Sequence, residues 1–275
     1  MSRADEQRAA RAAGAAIFAE ADVVASYYAR PPYAPALFDR LLGQVSGRTR
    51  ALDLGCGPGK VARVLAPHFA EVTAVDPSAL MIAAGKAQDA GRCPNISWRA
   101  MRGEDFKSTE GFDLVTAASS IHWMDAEVLF PKLTHWTGVL AVLNNDPTFP
   151  QPPPPCGHDT WIDFLEAWFA KTGRAVPAAW RDAANPPESL APHEAWMDDV
   201  RRERFSFSFR QSVEDFVASS HSRVSWPRSR MGRDLAGEFD SALDALMRRF
   251  SIDGMLELEI VSELTWGAPR ETPRG

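Results

Sequence analysis

From residue 50 onward, short apolar runs alternate with stretches whose apolar positions recur at helical spacing. Arg50-Ala51-Leu52-Asp53-Leu54 reads as a short buried strand, and Glu71-Val72-Thr73-Ala74-Val75 as a second. Residues 95–99, 112–117 and 138–144 carry the third, fourth and fifth. Between them the spacing predicts helices over 60–69 and 78–89, the latter with Ser78 as its N-cap. Strands that alternate with helices at this interval predict right-handed βαβ units and a mainly parallel sheet.

Either side of that rhythm the pattern changes. Residues 4–30 are alanine-rich with scattered charge, which favours one or two helices, until Arg30-Pro31-Pro32-Tyr33 interrupts them. A further helix is expected over 34–42. The strand–helix alternation stops at Asp146, and ten of the 21 prolines fall between Pro147 and Pro192, so this stretch reads as a connection. It contains an amphipathic helix over 161–169. Phe205, Phe207 and Phe209 then alternate with Ser206 and Ser208, the period of a half-exposed strand. Residues 212–219 and 235–250 read as helices, and 256–266 as a closing strand. The fold class is therefore α/β: a doubly wound, Rossmann-like, mainly parallel seven-stranded sheet with helices on both faces and a helical cap insertion.

Composition narrows the function classes. The chain has 275 residues, 45% of them hydrophobic and 24% charged, which is globular. Its formal net charge of -6 argues against a general nucleic-acid binder, and no nucleic-acid partner is expected. The three cysteines, Cys56, Cys93 and Cys156, are widely spaced, so neither a disulfide framework nor a zinc site is supported, and no metal is expected. No apolar run approaches the roughly 18–20 residues of a membrane span, and the first residues lack a secretory signal. A cytoplasmic protein, monomeric or homodimeric, is the expectation.

Candidate chemistry begins at Asp53-Leu54-Gly55-Cys56-Gly57-Pro58-Gly59, at the carboxyl end of the first strand, where open α/β sheets bind ligands. A glycine-rich turn permits close backbone approach but does not choose the ligand. The spacing is GxGxG, one residue short of the dinucleotide fingerprint GxGxxG. Asp53 would repel a pyrophosphate and attract a cation. S-adenosylmethionine, which has no phosphate and carries an ammonium and a sulfonium, fits that charge. The alternative is that Asp53 pairs with amides of the turn. Asp76 lies 21 residues after Gly55 at the end of the second strand, placed to accept ribose hydroxyls from either kind of nucleoside cofactor. Arg30 and Tyr28 would reach the methionine carboxylate if the N-terminal helix folds over the site.

Four blocks together resemble the class I S-adenosylmethionine-dependent methyltransferases, in particular the small-molecule branch that includes trans-aconitate methyltransferase. They are Leu52 to Gly59, Val72 to Ser78, Gly103-Glu104-Asp105-Phe106 and Phe112-Asp113-Leu114-Val115, with Tyr28 to Tyr33 similar upstream. The resemblance implies that Gly55, Gly57 and Gly59 lie beneath the methionine and ribose, with Cys56 in the same turn. It implies that Asp76 and Pro77 flank the ribose, that Met81 packs on the adenine, that Gly103 and Glu104 meet its amino edge, and that Ser119 borders the cofactor. The turn before the fifth strand departs from the family, reading Thr134-His135-Trp136-Thr137-Gly138. The implied organisation is N-terminal helices and lid over 1–45, an S-adenosylmethionine-binding core over 46–146, a cap or substrate insertion with a late strand over 147–240, and a final helix and closing strand over 241–275.

After the fourth strand, Ser119-Ser120-Ile121-His122-Trp123 resembles the segment that lines the methyl-transfer chamber in this branch. His122 is the candidate catalytic base for a hydroxyl or amine acceptor, and Trp123 the candidate substrate wall. The alternative for His122 is a pocket-shaping hydrogen bond, and an ionised carboxylate acceptor needs no base. His68, His135, His158, His193 and His221 show no metal spacing and read as surface or satisfied core positions. The expected function is methyl transfer to oxygen or nitrogen, less often carbon, of a small organic acceptor. The competing readings are an NAD(P)-dependent oxidoreductase on the same fold and a non-catalytic S-adenosylmethionine-binding protein.

Overall fold

The computed structural model describes residues 13–145, 155–181 and 192–274. Seven strands form one sheet in the order β3-β2-β1-β4-β5-β7-β6. They are β1 (Arg50–Leu54), β2 (Glu71–Asp76), β3 (Ile96–Ala100), β4 (Leu114–Ala118), β5 (Leu140–Asn145), β6 (Met197–Ser212) and β7 (Met255–Pro269). β1 to β5 are mutually parallel, with Leu52 opposite Thr73 on β2 and Val115 on β4. β7 lies antiparallel between β5 and β6. The central strands are largely apolar because both faces are covered: Ala51, Leu52, Leu54, Val75, Leu114, Val115 and Val142 have no exposed surface.

The helices follow the expected order. They are α1 (Ala21–Tyr27), α2 (Pro35–Leu42), α3 (Lys60–Leu65), α4 (Ala79–Asp89), α5 (Ala126–Trp136), α6 (His158–Lys171), α7 (Val213–Ser220), α8 (Arg228–Met231) and α9 (Arg233–Arg248). Ser78 caps α4 by accepting from the Met81 amide at 3.2 Å. Two elements differ from the pattern. Thr134 to Trp136, read as part of a turn, is the last turn of α5, and Thr137 ends it with an Oγ1 that donates to the Val139 carbonyl at 3.0 Å. The late strand, expected over 205–209, runs for 16 residues as β6, because it pairs with β7 far beyond its phenylalanines.

Part of the 147–240 stretch is therefore sheet. β6 and β7 continue as a long ribbon past the edge of β5. On its far half, Leu256, Leu258 and Ile260 of β7 join Trp168 and Phe169 of α6, Val213 of α7, and Phe239, Leu243 and Met247 of α9 in a second hydrophobic core. α9 crosses the expected boundary at residue 240 and belongs with this helical unit. The proline run up to Pro154, residues 4–12 and residues 182–191 lie outside the described residues.

The N-terminal segment is tied to the helical unit. The Ser229 amide donates to Asp22 at 2.8 Å, Arg30 Nε donates to Ser222 Oγ at 2.7 Å, and Gln211 donates to the Ala29 carbonyl. Among the described residues, no helix is long and apolar enough to cross a membrane.

Candidate cofactor and acceptor site

At the carboxyl ends of β1, β2 and β4 the backbone must turn sharply, and the glycines make this possible. Gly55 sits at φ +64, where a Cβ would come within 2.4 Å of the Ser120 Cβ. The closeness is fixed from the other side, since Ser120 Oγ donates to the Leu54 carbonyl at 2.6 Å. Gly59 serves a different purpose from the one the resemblance implied. It adopts φ +78 at the start of α3, and a Cβ there would meet the Trp98 ring at 2.2 Å. It packs the turn onto β3 and does not line the cavity.

Asp76 closes the arrangement. Its Oδ2 accepts from the Gly57 amide at 2.8 Å and its Oδ1 from the Ser78 amide at 2.8 Å. Burial nevertheless raises its pKa. The carboxylate lies in the wall of a cavity of about 640 Å³, together with Gly55, Gly57, Pro77 and Met81. Gly103, Glu104, Ser119 and Trp123 complete the set of sequence-expected residues that the fold brings to this cavity. Glu104 accepts from Arg102 and from the Asp125 amide, each at 2.9 Å. Burial works against its charge, but these two donors hold its pKa below the usual value.

The remaining expected residues lie elsewhere. Asp53 is fully buried beneath the turn, where its oxygens accept from the Ala62 amide at 3.1 Å and the Thr116 hydroxyl at 2.9 Å. Burial pushes its pKa up to about 7. It is a brace between α3 and β4, close to the alternative reading of a carboxylate pairing with turn amides. Cys56 and Arg30 border a smaller pocket of about 80 Å³ that meets the main cavity at Gly55, Ala118 and Ser119. The Cys56 thiol is buried and pushed well up in pKa, so it is no nucleophile. Tyr28 borders neither of these two spaces. Its neighbour Tyr27 lines both.

His122 is exposed and does not line the main cavity; its ring lies 4.6 Å from that of Trp123, centroid to centroid. Partial desolvation of its ring lowers its pKa from the usual imidazole value. Close by, His193 departs from the expectation of a satisfied or surface position. It is buried, and neither ring nitrogen has a partner among the described residues; burial pushes its pKa down to about 4.

The roof comes from the N-terminal stretch expected as helices and lid, though sequence reasoning singled out none of its residues. Ala15, Ala16, Phe18 and Ala19 cover the cavity, with the Phe18 ring 6.0 Å from Trp123 and 6.3 Å from Tyr27. Ser119 was expected, but not its conformation: φ is +51, rare for a side-chain-bearing residue, and its Oγ lies 3.1 Å from Tyr33 Oη. The wall is thus acidic at Asp76, Glu104 and Asp125 against one cation, Arg102, and aromatic at the roof. This balance suits a ligand that carries positive charge next to a flat, partly apolar body.

Comparison with known proteins agrees with that chemistry. Residues 51–141 match the family described as "Methyltransferase domain". A trans-aconitate 2-methyltransferase of Methylobacterium radiotolerans is 33% identical over 222 residues, which cover 74% of this chain and 77% of that protein. A Saccharomyces cerevisiae protein named as a probable S-adenosylmethionine-dependent methyltransferase, CRG1, is 33% identical over 125 residues, and the match spans 44% of this chain but only 41% of that protein. A solved structure from Anaeromyxobacter dehalogenans shares the fold with a TM-score of 0.56 at 24% identity, over 89% of this chain and 99% of that one. The chain belongs to the class I S-adenosylmethionine-dependent methyltransferases. Within that class its relatives include the trans-aconitate 2-methyltransferases.

Proposed function

We propose that this protein transfers the methyl group of S-adenosylmethionine to an oxygen or nitrogen of a small organic molecule. The observation that carries the reading is the Asp76 carboxylate, fixed by Gly57 and Ser78, in the wall of an acidic cavity roofed by Phe18, Tyr27 and Trp123. Asp76 would accept the ribose hydroxyls, Met81 and Gly103 would flank the adenine, and Glu104 would meet its amino edge. The cofactor, when bound, supplies an electrophilic methyl on a sulfonium. The chain's own work is then to align an acceptor in line with it, where most of the acceleration in such a displacement originates.

Trp123 walls the acceptor side, and Phe18 and Tyr27 exclude water from it. The helical unit acts as a cap through its bonds to the N-terminal segment at Ser222 and Ser229. His122 stands behind Trp123. It lines neither the main cavity nor the smaller pocket beside Gly55, so its ring holds Trp123, and an organic-acid acceptor, already ionised near neutral pH, needs no base. The trans-aconitate in the names of the relatives makes organic acids the first acceptors to test.

The experiment is incubation with methyl-labelled S-adenosylmethionine and a panel of small acids, alcohols and amines, followed by mass spectrometry. Labelled product that accumulates in step with S-adenosylhomocysteine is expected. Cofactor binding without methylation of any member would favour the non-catalytic binding protein.

A further inference from the structure

A second cavity, of about 560 Å³, shares no lining residue with the cofactor cavity. Its walls come from the segment after α1, from α2 and α3, and from the β6–β7 ribbon. Nothing in the methyl-transfer reading uses it, and its size is that of a small-molecule site.

Three features of its walls point to a ligand. The first is charge. Arg30, Lys60, Arg63 and Arg210 border the cavity against a single acid, Asp215. Arg210 is paired with Glu257 at 2.8 Å. Among the described residues, the other three give their hydrogen bonds to neutral acceptors: Arg30 to Ser222, Lys60 to the carbonyls of Arg30 and Pro31, and Arg63 to the Pro58 carbonyl and the Gln88 side chain. Burial first, and then the Arg30 and Arg63 charges, push the Lys60 pKa down to about 7. A concave surface with surplus positive charge attracts an anion.

The second feature is a pair of orphaned polar atoms. Among the described residues, Tyr28 Oη and Gln211 Oε1 are buried without a hydrogen-bond partner, and Gln211 as a whole is only 4% exposed. Buried polar atoms are normally paired. Both residues line this cavity. A hydroxyl is the smallest group with the matching chemistry, since it can accept from a tyrosine hydroxyl and donate to an amide carbonyl. The third feature is the apolar lining of Tyr33, Phe38, Phe209 and Met255, which suits a flat ring.

We infer that this cavity is a second ligand site, outside the methyl-transfer chamber, for a small hydroxylated aromatic acid. Its carboxylate is met by Lys60 and Arg63, its ring by Phe38 and Phe209, and its hydroxyl by Tyr28 and Gln211. The site does not depend on the methyl-transfer reading. Arg30, Tyr33 and Lys60 nevertheless also border the small pocket beside Gly55 and Ser119, so occupancy is able to reach the reacting end of the cofactor cavity.

The test is calorimetric titration of the full chain with 4-hydroxybenzoate, with and without S-adenosylhomocysteine. Saturable binding that survives S-adenosylhomocysteine is expected. Benzoate, which lacks the hydroxyl, and 4-hydroxybenzamide, which lacks the charge, should each bind about tenfold more weakly. Tyr28→Phe should weaken 4-hydroxybenzoate to the level of benzoate yet melt no lower than the wild type, because the hydroxyl removed has no partner among the described residues. Lys60→Met should abolish the preference for the acid over the amide. The proposal is overturned if the wild type does not bind 4-hydroxybenzoate, or if S-adenosylhomocysteine displaces it. It is overturned equally if the two variants bind it as the wild type does, or if S-adenosylmethionine methylates it.

Discussion

The carboxylate of Asp76 accepts a 2.8 Å hydrogen bond from the amide of Gly57, so the end of β2 fixes the glycine turn that follows β1. One residue thus shapes the cofactor cradle and faces the cavity it encloses. Asp76→Ala should weaken S-adenosylhomocysteine binding by about 2–3 kcal/mol, the scale of charge-assisted contacts to two hydroxyls. Calorimetry on the folded variant checks it, and unchanged affinity would remove Asp76 from the site.

Gly59 makes a different prediction, because it packs and does not bind. Alanine there combines a left-handed backbone with a clash against Trp98, and should cost about 2–4 kcal/mol of stability. Chemical denaturation measures it. A variant as stable as the wild type would show that the turn repacks freely around Trp98.

Asp53 governs a pH dependence. Its pKa in the folded chain, raised to about 7 by burial, exceeds the unfolded value of about 3.9. The stabilisation from holding the proton is fully present below the unfolded value and is lost as pH rises through about 7. Asp53→Asn has no proton to lose. The stability of the wild type relative to Asp53→Asn should therefore fall from pH 5 to about pH 7 and level off above it, as read from melting curves at matched ionic strength. A difference that stays flat across that range would mean Asp53 is ionised throughout.

Much of this was legible in the chain. The five parallel strands, the glycine turn and Asp76 are local patterns, and each lies where its spacing predicts. Asp53 was harder, because what absorbs its charge is distant in sequence: the Ala62 amide and the Thr116 hydroxyl are brought to it only by folding. Tyr27 and Tyr28 differ by one position at the end of α1, about 100° of helical rotation, and no local pattern says which one faces the cofactor cavity. The charged Arg201 to Arg204 run, which reads as a solvated strand edge, lies on β6. On an edge strand such residues face solvent while the backbone pairs, and here Arg204 bonds Glu263 of β7 at 2.9 Å. The Phe18 roof had no motif at all.

The most direct test of the central claim is a thermal-shift comparison of S-adenosylhomocysteine with NAD on the wild type and Asp76→Ala. A ligand bound only by the folded chain raises its melting temperature. The account predicts that micromolar S-adenosylhomocysteine raises the melting temperature of the wild type, that the shift shrinks in Asp76→Ala, and that NAD has no effect on either. A shift with NAD and none with S-adenosylhomocysteine would contradict it.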